Sequence, residues 1–337
     1  MKIYLAPCSS TYDFRIKAVR ETFQLSRISV HTLVDTPRDA DIILITDHFF
    51  VNKHNRQLLS KYLNQCYLIS DSGSSFSCIP GLYDSASTFP LHRFLVRSCS
   101  YLYCRGINRN TFLDFSQQSL VKNYLFSFVG SPTSWVRKRL FRIKFSRNDI
   151  LISCTTNYNH WDHSQQDREV MQKNYIESMC SSKFVLCPRG DGCGSIRLFE
   201  AMELGIAPVI LSDRWLPPKG PEWHKFALFV KESDLLNLPH IIESHASEYE
   251  ERGRLARKAW EEYFSDSVVF NRCMEAIEDL KKDRIALLDR LIFYFFPLVL
   301  TINELKRNLK KLIKFSVLKT FKLFQLEFPY ELVNKSK

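Results

Sequence analysis

Residues 181–213, SSKFVLCPRGDGCGSIRLFEAMELGIAPVILSD, most constrain what this chain can fold into. The apolar run KFVLCP predicts a buried strand, and the residues from Ser195 to position 204 predict a helix. A second apolar run, APVILS, predicts another strand, and the loop RGDGCGS separates the first strand from the helix. This succession predicts a β-loop-α-β unit of a parallel sheet.

A glycine-rich loop between a parallel strand and a helix is suited to bind phosphate. The helix start offers unpaired N–H groups and about half a positive charge, and glycines let the backbone approach an anion closely. Arg189 adds charged donors, and Ser195 lies near the N-cap, where its hydroxyl can bond the helix or a phosphate. Glu200, further along the helix, can accept hydrogen bonds from ribose hydroxyls, and Arg197 lies three residues before it.

A purely structural interpretation of this loop stays open at this point. Many glycine loops before a helix are only tight turns, and the strict G-x-G-x-x-G and Walker patterns are both absent. Glu200 could equally pair with Arg197 on the surface, where an ion pair contributes little to stability. The combination of Arg189, Ser195 and Glu200, rather than the glycines alone, favours a nucleotide site.

Strand and helix signals alternate twice along the chain. The first series predicts strands and helices in turn at 2–6, 12–26, 40–46, 54–63 and 65–73. The second series begins with the strand YLFSFVG and continues through the 181–213 segment to two long helices at 247–264 and 267–283. We therefore predict an α/β protein with two Rossmann-like domains, whose parallel sheets face an interdomain cleft, followed by C-terminal helices. The predicted limits are 1–120, 121–285 and 286–337.

The 181–213 segment resembles the signature of exostosin-type glycosyltransferases: a strand, Pro-Arg-Gly, a short loop, Ser-x-Arg-Leu-x-Glu-Ala, a Gly, then Pro-Val-Ile and Ser-Asp. Three other stretches are similar to this family in the expected order, TPRDADIILIT, LFSFVGSPTSWVRKRL and WHKFALFVKESDLLNL. The resemblance covers about residues 35–285. It implies a GT-B architecture and the transfer of a sugar from a nucleotide donor, commonly a UDP-sugar, with inversion at the anomeric carbon.

The resemblance also implies which residues bind the nucleotide-sugar. They are Arg189, Ser195, Arg197, Glu200, Gly130, Ser131 and Asp213. To these we add Gly190 of the glycine loop and Arg137 at the start of the basic run 137–147 as candidate nucleotide-sugar-binding residues. Arg189 and Ser195 would contact the diphosphate, Arg197 would help to neutralise it, and Glu200 would hold the ribose. Gly130 and Ser131 would lie across the donor, and Asp213 would face the cleft. Arg137 either belongs to a solvated helix face or reaches the donor phosphates, and both interpretations stay open.

Inverting transfer also needs a base that takes the proton of the acceptor hydroxyl. We expect this base at the carboxyl end of a strand in the first domain, where open α/β sheets bind ligands. Asp71 in SDSGSS and the pair Asp47 and His48 in TDHFF are the candidates, and the choice among them stays open. Each aspartate could instead cap a turn. The sequence NHWDH at 159–163 has no nearby third ligand, so no metal site is indicated and we predict that no cofactor is required.

The net charge of +11 favours anionic partners. The basic run at 137–147 has few interleaved aromatic residues and no accompanying nucleic-acid motif, so we expect no nucleic-acid partner. Residues 287–324 are apolar and then basic and amphipathic, which suits either an anionic membrane surface or docking on the protein itself. The apolar part is too short to span a bilayer.

The scattered cysteines and the N-terminal sequence MKIYLAPCSS, which predicts a strand rather than a signal peptide, favour a reducing, cytoplasmic location. The partners that we expect are a nucleotide-sugar donor, a glycan or lipid-linked acceptor and the inner face of a membrane. The predicted function is an inverting glycosyltransferase that acts in cell-surface polysaccharide synthesis. The alternative is a non-catalytic protein that binds a nucleotide-sugar or polyanion at the membrane surface.

Overall fold

A computed structural model provides the structure of the chain. It describes residues 1–6, 13–26, 30–46, 53–71, 79–102, 109–114, 121–155 and 167–295. The chain divides into two compact units, residues 1–284 and residues 285–337. Within the second unit, residues 286–295 are helical. No helix in the described ranges has the length and the apolar character that crossing a bilayer requires.

The first sheet of the 1–284 unit has six parallel strands in the order β2-β1-β3-β4-β5-β6. The strands are β1 (Lys2–Leu5), β2 (Thr32–Leu33), β3 (Ile42–Ile45), β4 (Cys66–Ser70), β5 (Gly81–Tyr83) and β6 (Val96–Ser98). All residues of β3 and β4 are buried, as expected of strands covered on both faces. The sequence predicted three of these strands, because β2, β5 and β6 have only two or three residues each and show no hydrophobic period.

The second sheet has five parallel strands in the order β11-β10-β9-β7-β8. The strands are β7 (Tyr124–Gly130), β8 (Ile150–Cys154), β9 (Ser182–Pro188), β10 (Ala207–Leu211) and β11 (Leu228–Phe229). The prediction of two parallel-sheet α/β halves with additional C-terminal helices, the GT-B fold class, is thus confirmed. The exact domain limits stay predictions.

Ten α-helices connect and cover these strands within the described part of the 1–284 unit. They are α1 (Asp13–Leu25), α2 (Lys53–Tyr62), α3 (His92–Leu95), α4 (Trp135–Arg142), α5 (Arg168–Cys180), α6 (Ile196–Glu203), α7 (Trp223–Phe226), α8 (Leu238–Glu243), α9 (Tyr249–Tyr263) and α10 (Val269–Asp283). Ser134 caps α4 by accepting a hydrogen bond from the Arg137 N–H over 3.3 Å.

Helix α10 packs on the first sheet, although the sequence placed it in the second domain. Its buried residues Phe270, Met274 and Ile277 share one apolar core with Ile3 and Ile42. The reason is that α10 is amphipathic and the first sheet offers an apolar face that α1 covers only in part. The chain therefore ends its 1–284 unit by returning to the half in which it began.

Helix α6 is held against α9 by two glycines. Gly205, directly after the end of α6, has a φ of +69°, a conformation that favours glycine. A Cβ on Gly253 of α9 would lie 2.2 Å from the Gly205 carbonyl oxygen. Only a residue without a side chain lets the two backbones approach this closely, and this contact fixes the helix that carries Arg197 and Glu200.

Replacing Gly253 with alanine should therefore destabilise the protein. Inside a helix, alanine is normally favoured over glycine by about 1 kcal/mol. If the contact between Gly253 and Gly205 were loose, the alanine variant would therefore be more stable than wild type. Because the new Cβ would overlap with backbone atoms of Gly205, we expect Gly253→Ala instead to lower the free energy of unfolding by about 1–3 kcal/mol. Urea unfolding measures it, with Arg254→Ala on the exposed face of α9 as the control.

Candidate active site

A cavity of about 380 Å³ lies where the carboxyl ends of strands from both sheets meet. From the first sheet, Asp71 follows β4, Ser85 follows β5 and Tyr101 follows β6. From the second sheet, the residues after β7, β8 and β9 line the opposite side, together with parts of α5 and α6. Open parallel sheets bind ligands in crevices of this kind, because polar loops and helix N-termini gather there.

Two arginines on the second-sheet side of this cavity have no carboxylate partner among the described residues. Arg197 is 7% exposed, and its guanidinium lies 4.5 Å from the Phe128 ring centroid and 5.3 Å from that of Tyr175. Its Nη2 donates to the Val129 carbonyl, while its Nε is buried and has no acceptor among the residues that the structure describes. The second arginine, Arg137, donates from Nη2 to the Pro188 carbonyl over 3.0 Å.

The pKa of Arg137 shows how these two charges affect each other. Burial lowers this pKa, and the neighbouring Arg197 charge lowers it further, to about 10. The Arg137 guanidinium is therefore cationic at neutral pH, although it is partly desolvated and repelled by the Arg197 charge. An anion bound between the two arginines would relieve both costs, which makes this wall of the cavity a candidate anion site.

Gly130 at the end of β7 makes room for the Arg197 guanidinium. A Cβ at this position would lie 2.8 Å from Nη2 of Arg197. Next to it, Ser131 donates from its hydroxyl to the Thr155 carbonyl over 2.9 Å, which ties the ends of β7 and β8 together. Both residues line the cavity, as does Gly190 after β9, so the structure brings these predicted residues together.

Ser195 lies at the N-cap of α6 and does not cap the helix with its side chain. It is 6% exposed, lines the cavity, and its hydroxyl is buried without a hydrogen-bond partner in the described structure. A buried hydroxyl normally finds a partner. The arrangement leaves this hydroxyl, at the start of α6, available to a ligand.

Glu200 lies five residues after Ser195, which is about 7.5 Å along the axis of α6. Its Oε2 accepts a hydrogen bond from the Tyr175 hydroxyl on α5. Burial raises the pKa of the Glu200 carboxyl, and the hydrogen bond from Tyr175 and the Arg197 charge oppose this rise. The carboxylate is thus held in a fixed position on the cavity wall, with lone pairs that can accept from further hydroxyls.

Arg189 and Asp213 have a different place from the one that the sequence predicted. Arg189 pairs with Glu232, with Nε and Oε1 2.8 Å apart, and it is not among the residues that line the cavity. Asp213 is exposed and accepts from the Glu232 N–H over 2.9 Å. Glu232 therefore neutralises the charge of Arg189. The partner lies 43 residues along the chain, and no local motif signals it. The two arginines that line the cavity are Arg197 and Arg137.

Two carboxyl groups lie near each other after β4 and β5 of the first sheet, and of the two only that of Asp71 lines the cavity. Asp71 lines the cavity and pairs with Arg15 of α1 at 2.9 Å. Asp84, which the sequence analysis missed, is 2% exposed, and burial raises its pKa well above the usual range, with the Asp71 charge adding to the rise. The other two candidate bases, Asp47 and His48, lie outside the described residues.

Asp84 makes the stability of the protein depend on pH. The carboxyl of an unfolded chain ionises near pH 3.9, whereas the buried group keeps its proton to higher pH. Between these two pKa values the unfolded state releases a proton that the folded state holds, so the wild type loses stability as the pH rises. Asp84→Asn removes this loss and should be more stable than wild type at pH 7.

Thermal unfolding between pH 4 and pH 8 measures this effect, with the exposed Asp35→Asn as the control. The difference in Tm between Asp84→Asn and wild type should grow as the pH rises. A constant difference across this range would mean that Asp84 ionises normally in the folded protein.

No metal site is apparent in the ranges that the structure describes, where no three or more His, Cys, Asp or Glu side chains are grouped to hold an ion. The cluster at 159–163 lies outside those ranges. Of the seven described cysteines, all are free thiols and five are buried.

Comparison with known proteins links the second half of the chain to a defined family. Residues 113–245 match the family model of the Exostosin GT47 domain. Exostosin-1 of Drosophila melanogaster is 30% identical over 165 residues, which is 44% of this chain and 22% of that protein. The Exostosin-1 homolog of Caenorhabditis elegans is 29% identical over 136 residues, 36% of each chain. The chain thus spans less than half the length of these relatives.

A crystal structure of MurG from Acinetobacter baumannii is similar over 81% of this chain and 99% of its own, with 12% identity and a TM-score of 0.35. The fold assignment rests on the two sheets rather than on this likeness. The matched region contains β7 to β10 and the cavity residues from Gly130 to Glu200. Residues 113–245 of this chain are thus similar to the Exostosin GT47 domain.

Proposed function

We propose that this chain is an inverting glycosyltransferase that moves a sugar from a UDP-linked donor to a glycan or lipid-linked glycan in cell-surface polysaccharide synthesis. The observation that carries the proposal is the pair Arg137 and Arg197, two cations on one cavity wall without a described carboxylate partner. The exostosin GT47 match over the same residues supports it.

The donor would bind along the second-sheet side of the cavity. Its diphosphate would occupy the space between the two guanidinium groups and the start of α6, where the Ser195 hydroxyl completes the hydrogen bonds. Its ribose hydroxyls would donate to Glu200, and the distance of about 7.5 Å from Ser195 suits the step from a diphosphate to a ribose. The sugar would then point towards the first-sheet side.

The reaction that follows is a single displacement. The acceptor oxygen forms a bond to the anomeric carbon as the bond to the diphosphate oxygen breaks, and the diphosphate leaves with the electron pair. The acceptor proton passes to a carboxylate on the first-sheet side, and Asp71 is the described candidate because it lines the cavity. Arg137, Arg197 and the α6 dipole stabilise the charge that develops on the leaving group.

We further propose that the protein acts at a membrane surface. The basic tail within 287–324 would place the protein on the inner face of a membrane, near a lipid-linked acceptor. A divalent metal is not needed in this scheme, because arginines take its place at the diphosphate. We do not expect nucleic acid to bind.

Release of free nucleotide from a panel of UDP-, GDP- and CMP-linked sugars tests the proposal. We expect release from at least one UDP-sugar, slowly with water as the acceptor and faster with a suitable glycan. Binding of UDP without release from any donor would instead support the non-catalytic alternative. The absence of both binding and release would contradict both functions.

A further inference from the structure

Gln172 is a buried polar residue on the cavity wall that the proposed reaction does not use. It lies in the first half of α5, is 7% exposed and lines the cavity. Its Nε2 is buried and has no acceptor in the described part of the chain. A buried amide donor without a partner is costly, so this group is placed to meet a ligand.

The position of Gln172 relative to Glu200 indicates which part of a ligand it meets. Gln172 and Tyr175 are three residues apart on α5 and share one face of that helix. The Tyr175 hydroxyl donates a hydrogen bond to Glu200 on α6. Helix α5 therefore lies next to the Glu200 carboxylate, which would hold the ribose. A nucleotide with its phosphates at Ser195 and its ribose at Glu200 directs its base away from the phosphates, towards this wall.

The neighbours of Gln172 complete the site. Met171 also lines the cavity, and its flexible thioether side chain can pack against a flat ring. Asn110 donates from Nδ2 to the Gln172 main-chain carbonyl over 3.2 Å and accepts from the Phe112 N–H over 3.1 Å. Both ends of the Asn110 amide are thus used, and they hold the first half of α5 in place.

We propose that Gln172 is the residue that reads the nucleobase, by donating from Nε2 to the 4-carbonyl of a uracil ring. This inference rests on the proposed function, because it takes the phosphate and ribose positions from it. Uracil and cytosine differ at this position, where uracil has a carbonyl oxygen and cytosine an amino group. With Nε2 facing the ring, cytosine would set two donors against each other and leave one buried without a partner, so this orientation of the amide favours UDP over CDP.

Calorimetric titration of UDP and CDP into the full chain tests this assignment. Wild type should bind UDP about 10-fold or more tightly than CDP, in line with the cost of one unpaired buried group. Gln172→Glu presents acceptors only and should reverse the preference, because a carboxylate accepts from the cytosine amino group. Gln172→Met keeps the size, removes the polar group and should bind both nucleotides with similar affinity.

The matched control is Gln57→Glu, the same change on an exposed position of α2. It should keep the wild-type ratio of UDP to CDP affinity. If Gln172→Glu and Gln172→Met also keep that ratio, Gln172 does not read the base, although the proposed function stands. If wild type binds neither UDP nor CDP, the proposed function fails, and this assignment fails with it.

Discussion

Replacing Arg197 with methionine should weaken UDP binding by roughly 10- to 100-fold, since a hydrogen bond to a charged group contributes about 1.5–3 kcal/mol when it is buried. Arg197 is the most buried cation on the cavity wall, and two aromatic rings hold its guanidinium in place. Methionine fills the same space between Phe128 and Tyr175 and makes favourable sulfur–aromatic contacts. The loss should therefore come from the missing charge and not from a collapsed site.

The stability of the same variant separates these two explanations. In the unliganded protein, Arg197→Met removes a bond to the Val129 carbonyl but also removes the repulsion with Arg137. We expect its Tm to stay close to that of wild type, while its affinity for UDP falls. Arg139→Met, on the exposed face of α4, should change neither quantity. An Arg197→Met variant that binds UDP within about threefold of wild type would exclude Arg197 from the phosphate site.

Gly194→Ala should lower both the stability of the protein and its affinity for UDP. A Cβ on Gly194 would lie 2.6 Å from the Tyr101 hydroxyl and 2.7 Å from the Asp84 carbonyl oxygen. The carbonyl is backbone, so the glycine loop would have to move away from the segment after β5. We expect a loss of about 1–3 kcal/mol in the free energy of unfolding, as for other overpacked positions. The displaced loop would also move Ser195 away from the phosphates.

Gly190→Ala in the same loop is the matched control for stability. A Cβ on Gly190 would have its nearest contacts at 3.6 Å, to Arg137, and 3.8 Å, to Thr133, which are ordinary packing distances. Urea unfolding measures the free energy of unfolding of both variants. We expect Gly194→Ala, whose methyl group clashes, to be less stable than Gly190→Ala, whose methyl group fits. Equal stability of the two variants would show that the glycine loop is not pressed against the first half of the chain.

The sequence predicted the second half of the site because its chemistry is local. Ser195, Arg197 and Glu200 belong to one helix, and the spacing within a helix decides which side chains share a face. Gly130, Ser131 and Arg137 follow one strand, so their position at its carboxyl end was also predictable. The roles of Ser195 and Glu200 in binding a nucleotide stay predictions that the geometry supports.

The parts that the sequence did not predict depend on contacts between distant segments. Arg189 pairs with Glu232, which lies 43 residues further along the chain, and does not line the cavity. Helix α10 packs on the first sheet, although the second half of the chain separates the two in sequence. Asp84 follows the three-residue strand β5, which is too short for its hydrophobic pattern to be recognised. Gln172 carries no motif, and only its burial beside the cavity distinguishes it from other helical glutamines.

A crystal structure of this chain with bound UDP tests the central claim most directly. The claim predicts that the diphosphate oxygens lie within hydrogen-bonding distance of the Arg197 guanidinium and the Ser195 hydroxyl, with the ribose hydroxyls at Glu200. A nucleotide bound with its phosphates at Arg189 and Glu232, or outside the cavity between the two sheets, would contradict it.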